Sequence, residues 1–440
     1  MVEITKMKAE KQKAEKEAFF CTTKELSRLG LEQIPTQFQS HKHLIYSSPA
    51  TLAFNSPGAE GFGVKRAGLA VPDSIMLIVA PGCCGRNTSL ISSMKEYNDR
   101  FYYLMMDETD IVTGRHLKKI PKAVEEICSV CPKKPSVVMI CITCVDALLG
   151  TDMERVCKKA EEQVEIPVRP CYMYALTREG RKPPMVHVRQ SLYSLLEPGK
   201  KKGNVVNLLG FFSPLVDDCE IYDLLHSAGV KTIHEISRCK DYMEYQTMSE
   251  ANFNLVLHHE ARFAAEDFHN RLQIPFIELR RLYQIDKIEN QYHALGNALG
   301  VAFYDEKYKK QAEDALEKFR KKCPDASFAI GECLNADPFE LALALIRYGF
   351  SVPEIYGTIT VENFTYIRSL AKISPETKVF SNMEPTMIYY DPAKSGVNLA
   401  IGKDAYYYHP DCPYVMWNGE EQPYGYAGVR RLFEQLLEVV

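Results

Sequence analysis

Short apolar, β-prone runs alternate with amphipathic stretches along most of this chain, which predicts strands that alternate with helices from about residue 70 onward. Three such series follow one another. The first series has predicted strands at 75–80, 101–106 and 137–143, with helices at 88–99, 116–129 and 145–163.

The remaining two series repeat this alternation and predict the fold class α/β, with three Rossmann-like doubly wound parallel-sheet domains. We expect an N-terminal domain at 1–202, a middle domain at 203–320 and a C-terminal domain at 321–440. Residues 182–202 are rich in proline and basic side chains, and PGKKKG at 198–203 predicts a linker. The predicted strands are 204–212, 230–236, 253–258, 274–279, 327–330, 351–355, 378–381 and 398–401, and the predicted helices are 219–228, 260–271, 305–322 and 427–439.

Two strand-end turns of the first series contain cysteine: APGCCG at 80–85 and TCVDALLGTD at 143–152. The carboxyl ends of parallel strands meet at one edge of a sheet, and a helix N-terminus stabilises a thiolate there. The pattern therefore predicts an iron–sulfur cluster held by Cys144 and by at least one of Cys83 and Cys84. Adjacent cysteines do not easily bind one iron together, and Cys84 is preferred because it lies nearer the helix start.

Other candidate groups favour structural interpretations. The pairs Cys128/Cys131 and Cys141/Cys144 have zinc-like spacing, but the second pair straddles a strand, so its side chains should face opposite sides. His258 and His259 follow a middle-domain strand and are weak catalytic candidates, because histidines at such a place are more often structural. The aromatic stretch at 406–413 either borders a substrate cavity or packs between domains.

Composition excludes several classes of function. The net charge of −4 gives no electrostatic support for nucleic-acid binding, and no apolar run reaches the roughly 20 residues of a membrane span. Fourteen cysteines without an export signal predict a reducing, cytoplasmic location. The sequence has neither a Walker A motif nor a G-x-G-x-x-G fingerprint after a strand. A cluster-bearing chain of this kind would receive its electrons from another protein.

The segment TCVDALLGTDMERVC at 143–157 resembles the TC-x-x-x-L-I-G-D-D-x-x-x-V-C segment of nitrogenase component 1 proteins, and APGCCG is similar to their H-G-P-x-G-C turn. Weaker likenesses follow in the same order: EIPVRPC at 165–171, VNLLGF at 206–211, IPFI at 274–277 and YGYAG at 424–428. The resemblance spans about 45–430.

The resemblance implies three Rossmann-like domains, pairing with a homologous subunit as a homo- or hetero-oligomer, and an interfacial cluster of four-iron or P-cluster-like type. It also implies a separate P-loop iron protein as electron donor. The chain departs from the family at three positions. Residues 54–63 lack the usual first cluster cysteine, and the two ligand positions of the nitrogenase cofactor fall near Leu257–His258 and at Tyr424. These departures argue against dinitrogen reduction on a classical molybdenum cofactor.

The sequence therefore predicts a nitrogenase-like iron–sulfur reductase subunit that acts on a small substrate. One alternative is a non-catalytic scaffold on which a metallocofactor is assembled and handed on, and the missing cofactor ligands favour it. Another is a pairing subunit that has lost its cluster. A second metallocofactor, with His258 as a ligand, is a further hypothesis.

Overall fold

The computed structural model describes residues 17–39, 63–82, 97–172 and 182–440, and within them the chain forms an α/β protein with three sheets. The predicted helix at 88–99 lies mostly outside these residues. Cys83 and Cys84 lie outside them entirely, and the side chain of Cys144 is not described. No helix in the described ranges is long and apolar enough to cross a membrane.

The first sheet has four parallel strands in the order β3-β2-β4-β5. Every residue of its two central strands is buried, as expected of a parallel sheet that is covered on both faces. The strands are β2 (Ile75–Ala80), β3 (Phe101–Met105), β4 (Val138–Ile142) and β5 (Val168–Tyr172); β1 (Phe20–Thr22) and α1 (Thr23–Leu29) precede them. The helices are α2 (Val64–Gly68), α3 (Glu108–Thr113), α4 (His116–Val130), α5 (Cys144–Leu149) and α6 (Met153–Val164).

The predicted helix at 145–163 is wrong in one respect, because the structure divides it into α5 and α6. Gly150 between them has a φ of +65°, a left-handed conformation that interrupts a helix. Asp152 then caps α6 by accepting a hydrogen bond of 3.1 Å from the backbone N–H of Arg155. Helix α5 is therefore a short, separate element directly after the strand that ends at Ile142.

The second sheet is also parallel, in the order β7-β6-β8-β9. A helix that the sequence did not predict begins inside the proline-rich stretch at 182–202, because its proline occupies the first helical turn, where no N–H is required. The strands are β6 (Val205–Leu209), β7 (Thr232–His234), β8 (Phe253–Val256) and β9 (Phe276–Glu278). The helices are α7 (Pro184–Tyr193), α8 (Glu220–Ser227), α9 (Tyr242–Gln246), α10 (Arg262–Leu272) and α11 (Ile285–Leu299).

The third sheet has six strands in the order β1-β12-β11-β10-β13-β14, and only β1 runs antiparallel to its neighbour. Residues 20–22 thus join the sheet that is most distant from them in sequence. Its further strands are β10 (Ser327–Ile330), β11 (Ser351–Tyr356), β12 (Lys378–Phe380), β13 (Leu399–Ile401) and β14 (Tyr414–Val415). The helices are α12 (Glu306–Lys322), α13 (Pro338–Arg347), α14 (Phe364–Ile373), α15 (Lys403–Tyr408) and α16 (Gly425–Val439).

The second and third sheets share one hydrophobic core. A single cluster of buried side chains extends from Val206 and Leu255 to Phe328 and Ile355, and α16 closes it with Leu432 and its neighbours. The two sheets are therefore held firmly against each other. This shared core supports the cleft that lies between the strand ends of the two sheets.

Candidate functional site

A cavity of about 480 Å³ lies where the carboxyl ends of the middle strands face the third sheet. The loops after β6 and β8 form one wall, and residues 332–338, which follow β10, form the opposite wall. In open α/β folds, ligands bind in the crevice outside the carboxyl ends of the strands. The cleft is thus the position at which this architecture places a ligand.

His258, predicted as a weak candidate, lines this cleft directly after β8. Its backbone lies against Gly210, where a side-chain Cβ would come within 2.8 Å of the His258 nitrogen. Gly210 also has a φ of +146°, a conformation that favours glycine. The glycine after β6 therefore lets the two strand-end loops approach closely and places the histidine at the cleft.

The surroundings of His258 keep its imidazole neutral. Burial lowers the pKa of His258 well below its usual value, and the charges of Arg189, His259 and Arg281 lower it further. The ring stacks on His259 at 4.5 Å between centroids, and its Nδ1 accepts a hydrogen bond of 3.4 Å from the backbone N–H of Glu260. A neutral imidazole is the form of histidine that binds a metal.

Arg189 and Glu260 orient this histidine. Arg189 is buried, donates to the carbonyl oxygen of Gly210 at 2.7 Å, and pairs with the Glu260 carboxylate at 2.8 Å. The same carboxylate lies 3.7 Å from His258 Nδ1. This distance is too long for a hydrogen bond, and Nδ1 already accepts one from the Glu260 backbone N–H, so the carboxylate acts on the ring through its charge alone. His258 Nε2 has no hydrogen bond to any residue that the structure describes.

Tyr424, the second position expected to approach a cofactor, is engaged elsewhere. Its side chain is buried, and its hydroxyl donates a hydrogen bond of 3.1 Å to the carbonyl oxygen of Arg280. Burial raises the pKa of Tyr424 well above its usual value, which disfavours the phenolate that a metal would require. This position therefore provides no ligand opposite His258.

The predicted cluster site can be examined only around Cys144, because Cys83 and Cys84 lie outside the described residues. Cys144 is the first residue of α5. On either side of it, Thr143 Oγ1 and Asp146 Oδ2 are buried and have no hydrogen-bond partner among the described residues. The Thr143 hydroxyl can donate to a sulfide of a group bound at the start of α5, whereas the Asp146 oxygen, like a sulfide, only accepts hydrogen bonds. The hydroxyl beside Cys144 thus fits an iron–sulfur cluster.

Other cysteines are structural. Cys141 and Cys171 are buried opposite each other on paired strands, and their thiols interact directly. Cys131 is hydrogen-bonded to the hydroxyl of Tyr102 at 3.1 Å. Within the described ranges, no group of three histidine, cysteine or acidic side chains could hold a metal ion.

The aromatic stretch at 406–413 packs within the third domain. His409 is buried, and its Nε2 lies 3.1 Å from the Glu354 carboxylate and 2.9 Å from the hydroxyl of Tyr390. None of these three residues lines the cleft. The stretch thus packs inside the third domain rather than between domains, and its partners Glu354 and Tyr390 line a second cavity of about 410 Å³.

Sequence reasoning missed the arginines of the cleft. Arg189 comes from α7, a helix that the sequence did not predict, and Arg281 follows β9. The pair Arg280–Arg281 directly after a predicted strand was the available signal for the second of these. No local pattern pointed to Arg189, because its role depends on contacts with β6 and with Glu260.

A family model and curated relatives both match most of the chain and describe related proteins. The family model described as nitrogenase component 1 type oxidoreductase matches residues 60–440. The curated relatives include the nitrogenase iron-molybdenum cofactor biosynthesis protein NifE of Sinorhizobium fredii, with 25% identity over 418 residues that cover 89% of this chain and 82% of the relative. NifE of Nostoc is 25% identical over 284 residues, which cover 61% of this chain and 58% of that protein.

Solved structures show the same fold. The structure titled "Nitrogenase Cp1 at pH 6.5" superposes with a TM-score of 0.69 at 18% identity and covers 90% of this chain and 92% of its own. A second structure, "Nitrogenase Cp1 at pH 5", has a TM-score of 0.60 at 15% identity and covers 90% of this chain and 88% of its own.

Proposed function

This chain belongs to the nitrogenase component 1 type oxidoreductase family, and on that premise we propose that it is a scaffold on which a metallocofactor or its precursor is held during assembly and then passed on. The curated relatives support this role, since their names describe proteins of iron-molybdenum cofactor biosynthesis. They favour the scaffold alternative over the reductase interpretation of the sequence.

The observation that carries the proposal is that the cleft offers a metal ligand at His258 but none at the second expected position, Tyr424. His258 presents a neutral imidazole there, whereas Tyr424 is buried and donates its hydroxyl to Arg280. Cargo that is bound through one histidine is released when a single bond breaks. A catalytic cofactor that must stay in place over many turnovers requires more attachment points, so this ligand set suits transfer.

The cluster predicted in the first domain belongs to the same proposal as a resident group. Cys144 and one or both of Cys83 and Cys84 would hold it, and it would supply one-electron storage near the cargo. The unpartnered hydroxyl of Thr143 supports this site, since it can donate a hydrogen bond to a cluster sulfide. A homologous component-1-type subunit would complete the assembly, and an ATP-hydrolysing P-loop iron protein would deliver electrons to it.

A transfer assay tests the scaffold role. The full chain is isolated without oxygen from cells that make a metal–sulfur cofactor, and its bound metal is measured before and after mixing with a cofactor-free component 1 protein. We expect metal to move to the acceptor and His258→Ala to abolish loading. His269→Ala is the matched control, because His269 is exposed on α10, does not line the cleft and should retain loading.

Two results would contradict the proposal. One is a chain that keeps its metal in the presence of the acceptor and reduces a small substrate when the iron protein and ATP are supplied. The other is equal metal loading of the wild type and of the His258→Ala variant.

The resident cluster is tested separately by the iron content of the anaerobically purified chain. We expect Cys84→Ser and Cys144→Ser to lower iron and to remove its brown colour, while Cys128→Ser, at a partly buried position, leaves both unchanged. Unaltered iron in Cys144→Ser would refute the cluster assignment. Circular dichroism establishes that each variant is folded.

A further inference from the structure

The cavity of about 410 Å³ in the third domain lies on the face of its sheet that points away from the shared core. Side chains alternate between the two faces along a strand, so Glu354 lines the cavity, whereas its neighbour Ile355 belongs to the core. Residues from 17–20 and 389–394 complete the wall. The cavity has no lining residue in common with the cleft between the sheets, so it is a separate place for a ligand.

Glu354 is a buried carboxylate whose hydrogen bonds all go to one of its two oxygens. Its Oε2 lies 2.6 Å from the hydroxyl of Tyr390, 3.0 Å from that of Tyr356 and 3.1 Å from His409 Nε2. The other oxygen, Oε1, accepts no hydrogen bond from any residue that the structure describes, although the side chain is only 2% exposed. A buried acceptor without a donor is destabilising, and a donor group bound in the cavity would satisfy it.

Three further charged side chains of the cavity are exposed and have partners. Lys394 Nζ lies 3.9 Å from the Glu17 carboxylate. Asp391 accepts a hydrogen bond of 3.1 Å from the backbone N–H of Ala393. The charged groups of the cavity wall that remain for a ligand are therefore Glu354 and one lysine, Lys378.

Lys378 has no carboxylate partner even though one lies next to it. It stands directly opposite Glu354 in the register of β12 and β11, yet it forms no ion pair with any residue in the described ranges. Its Nζ lies 4.9 Å from the ring centroid of Phe20 instead. An ammonium group and a carboxylate oxygen thus stand side by side on one face of the sheet, and each lacks a partner of opposite charge.

The rest of the wall beside these two groups is apolar. The rings of Phe20 and Phe380 lie against each other, with 5.6 Å between their centroids. A ligand that carries an ammonium and a carboxylate on one carbon matches the two charged groups, and an apolar substituent on the same carbon matches the rings. The volume of the cavity falls in the range of small-molecule sites.

We propose that this cavity binds a free α-amino acid with an apolar side chain, whose ammonium group donates to Glu354 Oε1 and whose carboxylate accepts from Lys378. The proposal is independent of the cargo of the cleft. Because the cavity is lined by residues before and within β1 as well as by β11 and β12, the bound amino acid would also hold β1 in the third sheet.

Isothermal titration of the full chain with three probes tests the proposal. L-Phenylalanine carries both charged groups, phenethylamine lacks the carboxylate, and 3-phenylpropanoate lacks the ammonium. We expect L-phenylalanine to bind at least about tenfold more tightly than either analogue, because each analogue loses one charge-assisted hydrogen bond.

Two variants assign the charges to their residues. Lys378→Met should weaken L-phenylalanine about tenfold and leave phenethylamine unchanged, because that probe has no carboxylate. Glu354→Gln should weaken L-phenylalanine by a similar factor and leave 3-phenylpropanoate unchanged. Lys372→Met is the matched control, since Lys372 is exposed on α14 and does not line the cavity. Lys378 is only partly buried, so its variant keeps the test valid if Glu354→Gln does not fold.

Hydrogen exchange locates the bound probe. Saturation with L-phenylalanine should slow exchange at residues 17–22, and Lys378→Met should abolish this effect. The proposal is overturned if the wild type binds L-phenylalanine no more tightly than its analogues or not at all, or if both variants bind it as the wild type does. Protection that appears only outside residues 17–22 would also overturn it. None of these results bears on metal transfer, so the scaffold role is judged separately.

Discussion

The carboxylate of Glu420 accepts a hydrogen bond of 2.7 Å from Arg66, although 354 residues separate the two. Arg66 is buried beside the first sheet, with its guanidinium carbon 5.4 Å from the ring centroid of Tyr97. Glu420 lies in the loop before α16 that also contains Trp417 and Gln422. The ion pair therefore ties the loop at the cleft to the first domain.

Glu420→Ala should loosen this loop with little effect on the fold. Because Glu420 is largely exposed, we expect the free energy of unfolding to fall by only about 1 kcal/mol. The emission of Trp417, the single tryptophan, should shift more clearly, since its loop loses an anchor. Glu421→Ala, at the adjacent exposed position, is the control, and identical spectra for the two variants would contradict this role of the ion pair.

Elements with a continuous apolar run could be predicted from the sequence almost to the residue. β2 and β10 match because every residue in them is buried. β5 was missed because Arg169 and Pro170 interrupt its pattern. The pairing of β1 with β12 depends on a contact across more than 350 positions, which no local pattern encodes.

The candidate site was predictable only in part. His258 and His259 were found because they follow a predicted strand. Arg189 and Arg281 were missed because they reach the cleft from separate elements. The hydrogen bond from Tyr424 to the carbonyl oxygen of Arg280 could not be predicted either, because it joins residues that are far apart in the sequence. Ligation of a cluster by Cys83, Cys84 and Cys144 stays a prediction.

His116→Gln should destabilise the first domain strongly. His116 Nδ1 lies 3.0 Å from the Asp110 carbonyl oxygen and Nε2 lies 2.9 Å from the Asp146 carboxylate, so each ring nitrogen faces a hydrogen-bond acceptor. The pair is buried, and the variant leaves Asp146 without this buried partner. We expect a loss of about 3 kcal/mol in urea unfolding, partly recovered by adding Asp146→Asn. A loss below about 1 kcal/mol would show that the pair does not hold the domain together.

Glu340→Gln should remove a pH dependence of stability. Burial raises the pKa of Glu340 from its ordinary value near 4.5 to about 8, so the native state keeps a proton that the unfolded chain has already released. Between these values the native state binds more protons, and its stability falls as pH rises. Glutamine carries no such proton.

The measurement is urea unfolding of both proteins from pH 5 to pH 8. The stability of the variant relative to the wild type should increase by about 3 to 4 kcal/mol over this interval, in line with the size of the shift. Glu376→Gln, at an exposed position, is the control and should track the wild type. Parallel curves for Glu340→Gln and the wild type would contradict the raised pKa of Glu340.

Gly425→Ala should detach the start of α16. Gly425 has a φ of +57°, and a Cβ there would lie 1.8 Å from Glu220 Oε1 and 2.3 Å from the hydroxyl of Tyr292. The same Glu220 carboxylate accepts hydrogen bonds of 2.6 and 3.0 Å from the first backbone N–H groups of the helix, those of Tyr426 and Ala427. An alanine forces this carboxylate out of a buried position where it is fully hydrogen-bonded.

We therefore expect Gly425→Ala to lower the free energy of unfolding by about 3 kcal/mol or more, since the left-handed backbone and the displaced carboxylate add to each other. Gly203→Ala is the matched control, because nothing lies within 4 Å of its Cβ position, and its change should stay within about 0.5 kcal/mol. Equal urea midpoints for the two variants would mean that the contact with Glu220 does not hold α16. A selective loss in Gly425→Ala, together with a change in Trp417 emission, would place α16 among the elements that shape the cleft.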